Sequence, residues 1–269
     1  MSTPREIYKY RTLVANLVRR DLKAKYRKSI LGQVWSLLSP AATLGVYTLI
    51  FGFFLKQVPP KAGNGHLANF ALYLFCALVI WNFFSSVVLG AIDALQGAGP
   101  LLNKIYFPPE CPVIANLGGA LVQAGFEFGI LVVVMLIVGN GSLLFLLFPF
   151  VLLLEVCFAL GVALVAAVYN IFYRDVRYLV GIAIQILFYI TPIVYSVSSI
   201  PEHMNGLPLR TMFSFNPLTE FTESSKDLMY LHHMPSLRSW LFMVGAAAAS
   251  LGIGSWLFSR RAAQVVEEL

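Results

Sequence analysis

Two carboxylates lie deep inside long apolar runs, Glu127 between Val113 and Val138 and Glu155 between Leu143 and Phe172. A charge at the centre of a bilayer costs roughly 2.5–3.5 kcal/mol on insertion scales, so each must face protein, face water or carry a proton. Two readings stand side by side: the pair lines a polar pathway, or each is satisfied by a neighbouring helix, for example by Gln123 or Gln185. A proton relay would need more such residues, in pairs, and the sequence does not supply them. His66, His203, His232 and His233 fall outside the apolar runs. His232 and His233 are adjacent, do not share a helix face, and make a poor metal site. Cys76, Cys111 and Cys157 form no close pair and read as buried free thiols. No G-x-x-x-x-G-K-S/T phosphate loop occurs, so this chain is expected to bind no ATP and no other cofactor of its own. Gly63–Asn64–Gly65 is turn chemistry. Asn140–Gly141–Ser142 matches a glycosylation acceptor, but in a tight loop beside an apolar run.

The richer chemistry is aromatic. Phe, Trp and Tyr make up 14% of the chain and crowd its first two apolar runs. The default for such rings is an interface belt or a lipid-facing surface. A sugar, however, offers apolar C–H faces to an aromatic plane while its hydroxyls need polar partners. A channel for sugar polymers therefore mixes rings with Ser, Thr and Asn, and Trp35, Tyr47, Thr48, Tyr73, Trp81, Asn82, Ser85 and Tyr189 are the candidates.

These residues must be held by membrane elements. Hydrophobic residues are 58% of the chain, charged ones 12%, and the mean hydropathy is +0.76. A soluble domain of this size needs more charge, so bilayer is the solvent. Six stretches are long enough to cross about 30 Å of hydrocarbon: 30–55, 67–92, 113–138, 143–172, 178–197 and 237–258. Unpaired backbone is not tolerated in lipid, so they are helices. The expected fold is an all-α integral membrane protein of one domain, residues 30–258, with an N-terminal segment 1–29 and a tail 259–269. No cleavable signal peptide is read in the polar start.

Before the first span, Ile7, Tyr10, Leu13, Val14, Leu17, Val18, Leu22 and Tyr26 recur at helical spacing, with Arg11, Arg19, Lys23 and Arg27 between them. This predicts an amphipathic helix lying in the membrane interface. Nine of the 19 Lys and Arg precede the first span. Lys104, Arg174, Arg177, Arg260 and Arg261 fall on the same side, so the positive-inside rule puts both termini in the cytoplasm. The net charge of +6 thus points to lipid headgroups and topology rather than to nucleic acid. Between spans two and three, Gly and Pro breakers enclose an apolar patch of Leu101, Leu102, Ile105, Tyr106 and Phe107, with room for about two helical turns. Residues 198–236 are too apolar for a linker and are expected to form short re-entrant helices. Thr191–Pro192 should kink the fifth span.

The stretches RDLKAKYRKSILGQVWSLLSP (20–40), NKIYFPPECPVI (103–114), YNIFYRDVRYL (169–179), LFYITPIVYSVSSIP (187–201) and FNPLT (215–219) resemble the permease subunits of type 2 ABC exporters, specifically the O-antigen, teichoic-acid and related polysaccharide exporters of the Wzm-like group. The resemblance implies a homodimer in the bacterial inner membrane, joined to two copies of a separate ATPase that carries ATP and Mg, and a lipid-linked polysaccharide as cargo. It implies a coupling helix over residues 96–106, with Gln96, Leu101, Leu102, Lys104, Ile105 and Tyr106 meeting the ATPase. Arg174, Asp175 and Arg177 lie at a second cytoplasmic contact, where they are expected to form a charged network. It implies gate helices over residues 200–231, to which Phe213, Phe215, Asn216 and Phe221 belong, with the kink at Pro192 just before them serving the gate, and spans one and five facing the polymer path. The alternatives are a permease of the same class for a small hydrophobic drug or lipid, and a secondary transporter or membrane enzyme acting alone.

Overall fold

The computed structural model describes residues 4–26, 35–54, 56, 59–196, 201–202 and 209–268. Among these, all regular structure is helical. In chain order the helices are α1 (Pro4–Lys9), α2 (Arg11–Tyr26), α3 (Trp35–Tyr47) running into a π-helical segment (Thr48–Phe54), α4 (Phe70–Gly97), α5 (Gly99–Leu102), α6 (Glu110–Ile137), α7 (Phe148–Phe172) after a short 3-10 turn, α8 (Val176–Ile190), α9 (Leu209–Ser214), α10 (Pro217–Lys226) with a π turn (Asp227–Leu231), and α11 (Leu237–Glu268). Residues 30–34 of the first expected span, and 197–200 and 203–208 of the gate segment, lie outside the described residues, as does the side chain of Trp35.

Among the described residues, four helices are long and apolar enough to cross a membrane: Phe70–Gly97, Glu110–Ile137, Leu143–Phe172 and Leu237–Ala262. Pro40–Phe54 and Val176–Ile190 are apolar but shorter. The central element is α4, whose residues from Leu72 to Trp81 are all buried. A helix hydrophobic on every face has no side to give to water, and here its neighbours surround it. Its start is fixed by Asn69, whose side chain accepts from the Leu72 amide.

The other helices assemble around α4. α7 and α11 touch backbone to backbone: a Cβ on Gly161 would lie 2.2 Å from the Ser250 carbonyl oxygen, and one on Gly254 would lie 2.2 Å from that of Gly161. Ser250 also donates its hydroxyl to Phe158 O at 2.8 Å. Such small-residue contacts are how helices associate closely where lipid supplies no hydrophobic drive. α11 continues unbroken past Phe258 to Glu268, with Arg260 stacked over Trp256 at 4.0 Å and Arg261 over Phe172 at 5.5 Å. α2 lies against α6, burying Leu17 and seating Val18 opposite Gly118.

The expected kink at Thr191–Pro192 is instead an end. α8 stops at Ile190 and Thr191 is extended, with ψ 132°. Proline's ring disfavours the helical conformation of the residue before it, and no helix resumes beyond it before the described backbone breaks at residue 197. The four-residue α5 is likewise shorter than the two turns expected.

At the opposite end from α5, the loops close on Asn140, which is fully buried. Its amide donates to Tyr230 O at 3.1 Å, its carbonyl side accepts from Asn64 N at 3.1 Å, and its backbone oxygen meets His232 Nε2 at 3.1 Å. The glycosylation-type triplet is therefore an internal pin, with no acceptor nitrogen offered to solvent. His232, left-handed at φ 58°, terminates the π turn.

Candidate functional site

α3, α4 and α8 flank an open cleft of about 340 Å³ lined by Tyr47, Leu78, Trp81, Asn82, Gly181, Ile184, Gln185, Phe188 and Tyr189. Its aromatic wall is continuous. Phe188 stacks on Tyr47 (5.7 Å) and meets Trp81 edge-on (5.4 Å) and Tyr189 edge-on (5.5 Å). From Trp81 the rings run on through Phe84, Phe158 and Phe221, at 6.1, 5.8 and 5.7 Å, so the cleft is joined ring by ring to α10. Such offset and edge-on pairs are worth about 0.5–1.5 kcal/mol each beyond the area they bury.

Tyr47, Trp81, Asn82 and Tyr189, four of the eight residues expected to line a glycan channel, meet in this cleft. The others do not. Tyr73 is buried behind it, edge-on to Tyr230 at 5.4 Å and beneath the Lys226 ammonium at 4.7 Å. The reason is register: Tyr73 is eight residues before Trp81 on α4, more than two turns away along the axis. Ser85 lines a separate cavity of about 380 Å³ between α2, α4 and α6, together with Asp21, Ser86, Asn116 and Gln123. Thr48 opens the π segment with its hydroxyl buried and unbonded among the described residues. Phe188 and Gln185 complete the cleft; Phe188 was not singled out by sequence because one Phe among 21 carries no signal of its own.

The two buried carboxylates separate in role. Glu127 accepts from Gln123 Nε2 at 3.0 Å and from Asn82 Nδ2 at 3.3 Å. It is thus held by its own helix through Gln123 and by α4 through Asn82, a residue that lines the cleft. Glu155 is fully buried with neither oxygen hydrogen-bonded among the described residues.

At the α5 end, Arg177 forms a two-pronged ion pair with Asp93 at the end of α4, both contacts at 3.0 Å. Its backbone N–H donates to Asn170 Oδ1 at 3.0 Å, and Asn170 donates onward to Gln96 at 3.4 Å. The charged network expected from Arg174, Asp175 and Arg177 therefore runs from Arg177 to α4 and not to Asp175; Arg174 and Asp175 are simply exposed. Both partners of the pair are 52% exposed, so it directs geometry and adds at most about 1 kcal/mol. Of the apolar patch, Leu102 is buried and Leu101 half-buried, while Lys104, Ile105 and Tyr106 are exposed, Tyr106 by 90%. The available tip is thus Ile105–Tyr106.

At the other end, Asn216 caps α10 through Leu218 N (3.1 Å) and donates to Thr191 Oγ1 (3.0 Å). Phe221 is fully buried, Pro192 is buried, Phe213 is half-buried and Phe215 exposed. Lys226, which sequence reading counts as an ordinary outer charge, is 1% exposed. Its ammonium donates to Pro192 O (2.5 Å), Tyr195 O (3.3 Å) and the Glu223 carboxylate (2.9 Å). α10 is thus tied at both ends to the break after α8. In the adjoining π turn, burial first and the Glu223 carboxylate second push the Asp227 carboxyl up to about 6, against the opposing pull of His233 and Lys226.

A bundle of long apolar helices with an aromatic, amide-bearing cleft and no nucleotide-binding motif has the character of a transport subunit. The chain belongs to the ABC-2 type transporter family, whose model matches residues 12–230. It is 28% identical to the O-antigen export system permease protein RfbA of Myxococcus xanthus, over 98% of each chain. It is 26% identical to the protein of the same name from Klebsiella pneumoniae, over 80% of this chain and 79% of that one. It is also 25% identical to the polysialic acid transport protein KpsM of Escherichia coli, over 92% and 93%.

Proposed function

We propose that this chain is the conduit of an ATP-driven exporter that moves a lipid-linked polysaccharide across the bacterial inner membrane, with the α3–α4–α8 cleft forming part of the path wall. The observation that carries this is the cleft itself. Stacking rings beside two side-chain amides suit sugars, whose C–H faces and hydroxyls need both. A path for a small hydrophobic drug or lipid would have no use for Asn82 and Gln185. The relatives' names, O-antigen export and polysialic acid transport, agree with a glycan.

In this reading the four long helices are joined by α3 with its π extension and by α8 to make six spans. α2 lies at the cytoplasmic interface, and both termini are cytoplasmic. α9, α10 and the π turn dip into the outer leaflet as a gate. Two copies of the chain sit with the clefts toward the shared axis, clamped to two ATPase subunits that hold ATP and Mg. The Ile105–Tyr106 tip inserts into the ATPase, with Gln96, Lys104, Arg174 and Asp175 around it. The Arg177–Asp93 pair links the two cytoplasmic contacts, so a push on either reaches α4 and α8 together.

The test is purification of the chain with and without its co-expressed ATPase, followed by reconstitution. Glycan-stimulated ATP hydrolysis should appear only with the partner. Hydrolysis by the chain alone would refute the assignment.

A further inference from the structure

Among the described residues, Asn82 is the cleft residue whose polarity is set from behind. Its Nδ2 donates to Glu127 Oε2 at 3.3 Å, while Gln123 Nε2, one turn back on α6, donates to Oε1 at 3.0 Å. Glu127 is 3% exposed and lines no part of the cleft; Asn82 stands between it and the cleft. A carboxylate flanked by two amide donors accepts from both, and turning Asn82 over would set its carbonyl oxygen against a carboxylate oxygen. With Glu127 ionised, the amide is locked with nitrogen toward α6. Its carbonyl oxygen accepts no hydrogen bond among the described residues. Gln185, on the facing helix, makes no side-chain hydrogen bond there and is free to turn either end to a ligand. The tyrosine hydroxyls likewise donate or accept as required.

We propose that Glu127 is a positioning residue that fixes Asn82 as an obligate acceptor, so that the cleft selects a sugar that donates a hydroxyl to it. This deepens the conduit reading and rests on it. The carboxylate acts through the amide and stays screened from the passing chain. The wall thus offers a neutral acceptor in place of a bare negative charge, which would hold cations and repel anionic sugars.

The experiment uses the full chain with its ATPase in lipid nanodiscs, with Trp35, Trp240 and Trp256 replaced by Phe so that Trp81 reports the cleft. Maltohexaose and its permethylated form, which has lost its hydroxyl donors, are titrated and the fluorescence change read. One hydrogen bond is worth about fivefold in affinity, so permethylation should weaken binding by about that factor or more. Asn82→Leu should weaken maltohexaose about fivefold and erase most of the discrimination. Glu127→Gln should also collapse the discrimination, and Glu127→Asp, which keeps the carboxylate, should restore part of it. A merely structural role for Glu127 would lower yield or stability without changing this ratio. Full discrimination in Asn82→Leu or Glu127→Gln, alongside weakened binding in Tyr47→Ala, would overturn the proposal and leave the conduit reading standing. No Trp81 response to maltohexaose in the parent would sink the cleft as a glycan site, and the proposal with it.

Discussion

Lys226 gives the sharpest test of how the outer segment is held. Replacing it with Met keeps the length and apolar stem of the side chain and removes the charge. The Glu223 carboxylate, whose side chain is 26% exposed, then loses its cation, and two carbonyl oxygens lose their donor. Breaking a buried ion pair from one side costs about 3–5 kcal/mol. Partial exposure of Glu223 lets water answer some of its charge, so the lower end, about 3 kcal/mol, applies. At roughly 2–4 °C per kcal/mol for a chain of this size, the melting midpoint should fall by about 6–12 °C. Adding Glu223→Gln removes the stranded charge and should recover about half of that loss. The midpoints are read from tryptophan fluorescence during heating in one detergent. A single substitution that melts with the parent, or a double substitution that melts below the single one, would refute the buried-pin reasoning.

Three further outcomes are expected. Gly161→Ala should lower the yield of folded protein and cost about 1–3 kcal/mol, because its methyl meets the α11 backbone, which has no side-chain end to swing aside. This is checked by the fraction that elutes as a single species. Asp227 has its folded pKa raised to about 6 from an ordinary 3.8. Its contribution to stability is therefore fullest below pH 4 and is lost as pH rises through 6, and Asp227→Asn should flatten that dependence in melting curves taken from pH 4 to 8. Ile105→Ser with Tyr106→Ser should leave the chain folded while separating ATP hydrolysis from export, whereas Leu102→Ser should reduce folded yield, since Leu102 is buried. Hydrolysis and glycan export measured in the same vesicles distinguish the two.

The long apolar helices were legible in the sequence because their signal is length and composition alone. The stripe on α2 was legible because apolar residues at three- and four-residue spacing leave one solution, and Leu17 with Val18 is where it docks. What sequence concealed depends on contacts between distant residues. Tyr73 and Trp81 have similar credentials in a hydropathy profile, yet only the fold shows that they face different neighbours. Lys226 reads as a loop charge until three acceptors gather around it, 31 to 34 residues away for two of them. Arg177 finds Asp93 across 84 residues, although Asp175 is its near neighbour in sequence. A proline was enough to mark a disturbance after α8; that it ends the helix depends on where the next segment packs.

The early end of α8 bears on the membrane as well as on the protein. Its 15 residues reach only about 22 Å at 1.5 Å per residue, well short of a hydrocarbon core near 30 Å. Lipids beside so short a helix draw together to match it. On the proposed path, a sugar chain moving along this flank has several ångströms less oil to traverse than beside any of the four long helices, and the dielectric barrier to a hydrated polymer is thinned where the rings stand.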